Sequence, residues 1–280
     1  MRPAPAPVLI SAHRFGAGGD THLENSREAL DRALAMGVEF VEFDVQRCRD
    51  GAFVVHHDEW VEVDGERVLI EDLTHAEMAV HTGRPPLAYA EVLDTLAGRG
   101  RAHLDLKFTS PTALYHDPDR TAYEVEAARL AVERLGLGHL IVTTLDDRAV
   151  RAVRDWSDEQ GHELLVGLSL GRNVTGLPWH RQLRIRLSEL LPRLRYLESR
   201  ANLVVANHTL ARFGVARFAR RRRLPLLVWT IDTPGAMRYW LRPGRAWLVT
   251  TNFPGQALAI RAGRLTPTGT TPAPRPRRPR

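Results

Sequence analysis

One cysteine, Cys48, stands in the 280 residues of this chain. An intrachain disulfide is thereby excluded, and a reducing compartment is the default. No apolar run reaches the roughly 18 residues of a membrane-spanning helix. The opening MRPAPAPVLISAH also lacks the apolar core of about 7–15 residues that a secretory signal needs. A cytoplasmic location is the expectation. With 44% hydrophobic and 26% charged residues, the composition is that of a globular domain with ample core.

Lysine is almost missing. Of 39 basic residues only Lys107 is not arginine. A compact, rotatable ammonium differs physically from a planar guanidinium, so this one position is a candidate for a specific task. Acids are missing from the last fifteen residues, TPTGTTPAPRPRRPR, which carry Arg275, Arg277, Arg278 and Arg280. Without them the net charge of +6 falls to +2, so the rest of the chain is close to neutral. Residues 263–280 are expected to be a disordered tail, since Pro, Thr and Arg cannot build a core.

Between an N-terminal lead (1–7) and that tail, strand-like and helix-like segments alternate. Strands are expected near 8–13, 38–46, 102–108, 140–145, 163–170, 202–207, 225–231 and 246–251. Helices are expected near 25–36, 88–98, 119–135, 146–159, 181–198, 209–222, 233–241 and 254–262. Eight β-then-α pairs over residues 8–262 match a closed (β/α)8 TIM barrel; a doubly wound open sheet would leave the eightfold count unexplained. After the second strand, Arg49-Asp50-Gly51 signals a turn and Ala52–His57 an extra strand, a hairpin-like excursion. Residues 59–87 read as an irregular loop.

Charged residues interrupt three of these strands. Burying an unpaired charge is expensive, so His13, Glu42 with Asp44, and Asp105 with Lys107 point to one shared polar site. Residues two apart on a strand face the same side, which aims Glu42 and Asp44 inward while Val41, Phe43 and Val45 cover the outside. Barrel active sites lie at the C-terminal ends of the strands, and every candidate falls there. Three carboxylates without a cysteine suit one hard divalent cation, Mg²⁺ or Ca²⁺. His13 and His57 are the candidate proton-transfer pair for a phosphodiester, with Arg14 and Lys107 neutralising phosphate. His56, on the opposite strand face, is the expected bystander.

Two arginine clusters invite other readings. Arg220–Arg223 ends an expected helix, where cations favour the macrodipole, and lacks the interleaved aromatics of a nucleic-acid surface; no nucleic-acid partner is expected. Arg181, Arg184, Arg186, Arg193 and Arg195 alternate with leucines on one expected helix. That pattern fits either weak contact with an anionic membrane surface or an outer barrel helix with its apolar stripe inward, and the inward stripe is the expectation.

Taken in order, His13-Arg14, Glu24-Asn25-Ser26, Glu42-Phe43-Asp44-Val45, Asp50-Gly51, His57-Asp58, Asp105-Leu106-Lys107 and Trp229-Thr230 resemble the pattern of the glycerophosphodiester phosphodiesterase family, within the phospholipase C-like barrel superfamily. The likeness covers about residues 8–262. It implies divalent-metal-dependent hydrolysis of a small glycerophosphodiester to glycerol 3-phosphate and an alcohol. It further implies Glu42, Asp44 and Asp105 as metal ligands, His13 and His57 as the acid–base pair, and Trp229 beside the glycerol or alcohol. Glu24 and Asn25 support the site. In the family's mechanism a neighbouring substrate hydroxyl attacks phosphorus and water opens the resulting cyclic phosphate. Phe15 departs from the family's usual glycine after His-Arg, and Asp105 stands where glutamate is commoner. Asp-x-Lys also resembles sphingomyelinase D and lysophospholipase D-type barrels, which keeps a lipid head group as the alternative substrate. A non-catalytic barrel acting as a binding module is the alternative of a different class, and it predicts a missing site residue where none is missing.

Overall fold

A computed structural model describes residues 6–82, 85–117, 119–171 and 174–264. The segment from 265 onward, including the arginines of the expected tail, lies outside the described residues. Among the described residues eleven strands run in chain order: β1 (Leu9–Ala12), β2 (Phe40–Arg47), β3 (Phe53–Val55), β4 (Trp60–Val63), β5 (Glu66–Leu69), β6 (Ala102–Leu106), β7 (Leu140–Thr144), β8 (Leu165–Leu170), β9 (Leu203–Asn207), β10 (Leu226–Trp229) and β11 (Leu248–Thr251). Eight of them, β1, β2 and β6–β11, pair in parallel, and β1 bonds to both β2 and β11, which closes the sheet into a barrel.

The helices are α1 (Arg27–Met36), α2 (His75–His81), α3 (Tyr89–Leu96), α4 (Tyr123–Leu135), α5 (Asp147–Glu159), α6 (Trp179–Leu190), α7 (Arg193–Ser199), α8 (His208–Leu210), α9 (Ala216–Arg222), α10 (Pro234–Trp240) and α11 (Pro254–Arg261). A π-helical turn, Ala211–Val215, joins α8 to α9. Starts are chemically marked: Ser26, Asp146 and Thr233 each accept a backbone N–H of the helix they cap, which supplies partners to otherwise orphaned donors.

Strand alternation divides the core in two. Val41, Phe43, Val45, Leu104, Val142, Val166 and Val204 face the surrounding helices in the larger apolar cluster. Phe40, Ile141, Leu203, Val205, Leu227 and Leu248 fill the barrel interior. One or two steps further along the same inward-facing rows come Ser11, Glu42, Asp44, His103, Thr143, Ser169 and Thr250, all buried. The barrel thus has an apolar floor and a polar mouth, and the mouth is at the strands' C-terminal ends.

Two expectations need correction. Residues 59–87 are not an irregular loop. Antiparallel β4 and β5 form a hairpin there, and Asp64 and Gly65 both take positive φ, 52° and 84°, the conformation a two-residue Asp-Gly turn requires. Helix α2 follows, closed by a capping box between Thr74 and Glu77. The expected helix 181–198 is two helices broken at Pro192, whose ring cannot sit in a helix interior. Its apolar stripe faces outward: Leu183, Leu187, Leu190, Leu194 and Leu197 are all exposed, while the inward side of α6 carries Ile185 and the buried Glu189.

Candidate active site

The first site element follows β1 directly. His13–Gly16 form a single tight turn in which Arg14 and Phe15 both adopt positive φ, 47° and 66°. This conformation costs a non-glycine residue about 1–3 kcal/mol. The turn is held from both sides. Phe15 is buried and packs on Phe43 with ring centroids 5.5 Å apart, so the departure at residue 15 anchors the loop in the core. At Gly16 a Cβ would lie 2.6 Å from Pro254 Cγ, so glycine is required there. The resulting backbone aims the Arg14 N–H at Glu42 Oε2, 2.7 Å away.

Glu42 and Asp44 of β2 sit beside Asp105 of β6, with Asp44 and Asp105 in direct register. Each of the three offers an oxygen within 4.8 Å of the others'. Burial, reinforced by the Asp44 and Asp105 charges, pushes Glu42 well above the usual carboxylate range. Burial would raise Asp44 too, but the positive charges of Lys107 and Arg14, joined by His57 and His13 whenever these are protonated, hold it at about 2. Lys107 Nζ lies 3.1 Å from Asp44 Oδ1 and donates to Asp105 Oδ2. The only lysine of the chain therefore bridges two of the carboxylates. Burial works against its charge, yet Asp105 and Asp44 more than compensate and raise it.

These residues fit a hard cation. The donors are all carboxylate oxygens, as Mg²⁺ or Ca²⁺ prefers. Asp44 Oδ1 is buried with the Lys107 ammonium 3.1 Å away and no well-aligned hydrogen bond, and Glu42 is crowded by its like-charged neighbours, a repulsion that a cation would relieve. The cluster can hold a metal ion.

Around it the remaining candidates converge. Arg14 Nη1 bonds Glu24 Oε2 at 2.6 Å and its Nε lies 3.4 Å from Asp44 Oδ2. Asn25 Nδ2 donates to the same Asp44 oxygen at 3.2 Å. A cavity of about 210 Å³ is lined by His13, Arg14, Glu42, His57, Asp105, Lys107 and Trp229, among others. It meets an outer groove of about 720 Å³ at Arg14 and His57. His57 Nδ1 contacts Asp58 Oδ1 at 2.7 Å. His56 lines the outer groove, and its backbone N–H donates to Asp44 O at 3.1 Å. Asp50 lies away from this cavity and accepts the His75 N–H at the start of α2.

Five residues not singled out in the sequence complete the arrangement. Asn252, just past β11, is fixed by Asp232, which accepts both its side-chain and backbone N–H at 2.8 and 2.9 Å. Its carbonyl oxygen is thereby left to accept from His13 Nδ1–H at 2.8 Å, so His13 Nε2 carries no proton when the ring is neutral. Burial, the largest influence on His13, lowers its pKa from the ordinary 6.5 and favours that neutral ring. On the other wall, Thr143 Oγ1 donates to Asp105 Oδ1 at 2.8 Å. His103 Nε2 in turn donates to Thr143 Oγ1 at 3.2 Å and Ser11 Oγ donates to His103 Nδ1 at 3.1 Å. Burial lowers His103 to about 4, which keeps this relay neutral. His103 sits two residues before Asp105 on one inward row, and that spacing was the available signal for it.

A closed barrel with a cation-ready acidic mouth, two imidazoles and two cations in one cavity defines a phospholipase C-like phosphodiesterase barrel. The sequence model of the glycerophosphoryl diester phosphodiesterase family matches residues 13–256. The chain belongs to that family of phosphoric diester hydrolases. Among solved structures, a glycerophosphodiester phosphodiesterase from Parabacteroides distasonis is 18% identical, with 93% of this chain and 99% of that one covered and a TM-score of 0.68. One from Thermotoga maritima is 21% identical, covering 92% and 100%, with a TM-score of 0.59. An Oleispira antarctica phosphodiesterase in complex with the product sn-glycerol-3-phosphate is 16% identical, covering 92% and 97%, with a TM-score of 0.65. A mouse lysophospholipase D is 44% identical over 52 residues, a match spanning 19% of this chain and 15% of that protein.

Proposed function

We propose that residues 8–262 form the catalytic unit, which hydrolyses a glycerophosphodiester to glycerol 3-phosphate and an alcohol. The observation that carries this is the single cavity holding Glu42, Asp105, His13, His57, Arg14 and Lys107 together, with Asp44 completing the acidic cluster. Glu42, Asp44 and Asp105 would hold one divalent cation, Mg²⁺ or Ca²⁺, which when bound supplies Lewis-acid stabilisation of the phosphoryl oxygens.

His13 is the general base. Its Nδ1 proton is committed to Asn252, so Nε2 is free to take the proton of the attacking hydroxyl as that oxygen bonds to phosphorus. His57 is the general acid, since one imidazole cannot accept and donate in the same step; it protonates the alcohol oxygen as its bond to phosphorus breaks. Arg14 and Lys107 face the charge that grows on the phosphoryl group. Trp229 lines the glycerol or alcohol side of the cavity. Glu24 and Asn25 hold Arg14 and Asp44 in place.

The division of labour is tested with leaving groups. A p-nitrophenyl diester needs no protonation on departure. His57→Ala should lose about 10²–10⁴-fold on glycerophosphocholine and far less on the p-nitrophenyl analogue, whereas His13→Ala should lose heavily on both. The same loss on both substrates for His57→Ala would remove it as the acid. A lysophospholipid substrate is the second reading, favoured by the local match to the mouse lysophospholipase D.

A further inference from the structure

Among the described residues the outward stripe of α6 has no covering element. Trp179, Leu183, Leu187 and Leu190 recur at spacings of four, four and three, the repeat that lines one face of a helix. Trp179 is 75% exposed, and Leu183 and Leu187 about half. Leu191 at the Pro192 break continues the stripe at 73% exposure, and Phe213, on the adjoining π-helical turn, is 76% exposed. Single exposed leucines need no explanation; an aromatic-tipped stripe of this length does.

Helix α6 lies at the barrel mouth. Glu189 on its inner side accepts the backbone N–H of Gly171, the residue after β8, at 2.8 Å. Ile185, Ser188 and Glu189 line a cleft with Leu145 and Ser169, and those last two also line the catalytic cavity. The helix therefore presents its polar side to the mouth and its apolar side to solvent, while α7 packs back against α5.

Charge identifies the occupant. Arg181, Arg184 and Arg193 flank the stripe and have no ion-pair partner among the described residues. Between Glu198 and Asp232 the chain carries seven arginines and no acid. A second copy docked face to face would set these arginines against their own images, which like-charge repulsion disfavours. Apolar and aromatic side chains rimmed by arginine are the signature of a helix lying in an anionic lipid interface. No helix among the described residues is long and apolar enough to cross a membrane, so the contact is with its surface.

We propose that α6 with Phe213 docks the barrel on an anionic phospholipid bilayer, mouth toward the lipid, and so gives the site access to diesters carried in a membrane. The access part rests on the phosphodiesterase function proposed above; the docking part does not.

The test is co-sedimentation of the full chain with sucrose-loaded vesicles of phosphatidylcholine, with and without phosphatidylglycerol. The full chain should pellet with the anionic vesicles only. The double variant Leu183→Asn, Leu187→Asn should lower partitioning at least about tenfold, with hydrolysis of soluble glycerophosphocholine unchanged. Arg181→Gln with Arg184→Gln should weaken the preference for phosphatidylglycerol. Absence of vesicle binding, or equal binding by the leucine variant, overturns the proposal. So does a dimer in sedimentation velocity that the leucine variant abolishes. A chain that binds vesicles but hydrolyses no diester would instead overturn the catalytic proposal and leave the docking surface standing.

Discussion

Asn252 touches no metal candidate, yet its removal should cost catalysis heavily. In Asn252→Ala the His13 ring loses its Nδ1 partner at 2.8 Å, and with it the fixed tautomer and orientation. Asp232 Oδ2 loses the Asn252 amide donor, but Oδ1 keeps the Thr251 hydroxyl at 3.2 Å and the residue-252 backbone N–H, so Asp232 itself stays anchored. One hydrogen bond biases the tautomer by about 0.5–1.5 kcal/mol, or about 2- to 13-fold. Loss of ring orientation adds to this, and kcat should fall about 10- to 100-fold. KM should change little, because Arg14 and Lys107 are untouched. The assay is steady-state hydrolysis of glycerophosphocholine at saturating divalent cation, with thermal unfolding as the fold control. A kcat within about twofold of the parent in a folded variant would refute the orientation argument.

Other consequences are open to equally direct measurement. His103 is lowered to about 4 by burial, so between pH 6.5 and 4 the unfolded chain binds a proton that the folded chain does not. Its stability contribution, about 3 kcal/mol, is present above pH 6.5 and lost as pH falls toward 4. In chelator, the drop in denaturation free energy between about pH 7 and pH 4.5 should be smaller for His103→Gln than for the parent; an equal drop would contradict this. Cys48 is fully buried with its thiol 3.6 Å from Met78 Sδ and pushed up to about 12, chiefly by burial. It should resist an aromatic disulfide reagent until the chain is denatured, and prompt reaction in the native state would show that the β2–β3 turn opens.

Much of the architecture was legible because burial is written into strand alternation. Glu42 and Asp44 stand between Val41, Phe43 and Val45, and the structure turns the two sets to opposite faces. Lys107 stood out because every other basic residue is arginine, and its ammonium bridges Asp44 and Asp105. What escaped depends on facts that periodicity does not carry. A leucine stripe locates a helix face but not its covering, so α6 was expected inward until Glu189 proved committed to Gly171. The Ser11–His103–Thr143–Asp105 relay draws on three strands, and the Asp232–Asn252–His13 chain joins residues over two hundred positions apart. Both need inter-strand register. The Asp64-Gly65 turn carried a usable local signal for a hairpin that the surrounding polar residues hid.

The central claim is metal-dependent cleavage of a glycerophosphodiester in this cavity. Release of glycerol 3-phosphate from glycerophosphocholine and glycerophosphoethanolamine, with Mg²⁺ or Ca²⁺ and then with chelator, tests it most directly. The account predicts release that chelator abolishes and either cation restores, and that Asp44→Asn loses. Release undiminished in chelator, or none from either diester with either cation, would contradict it.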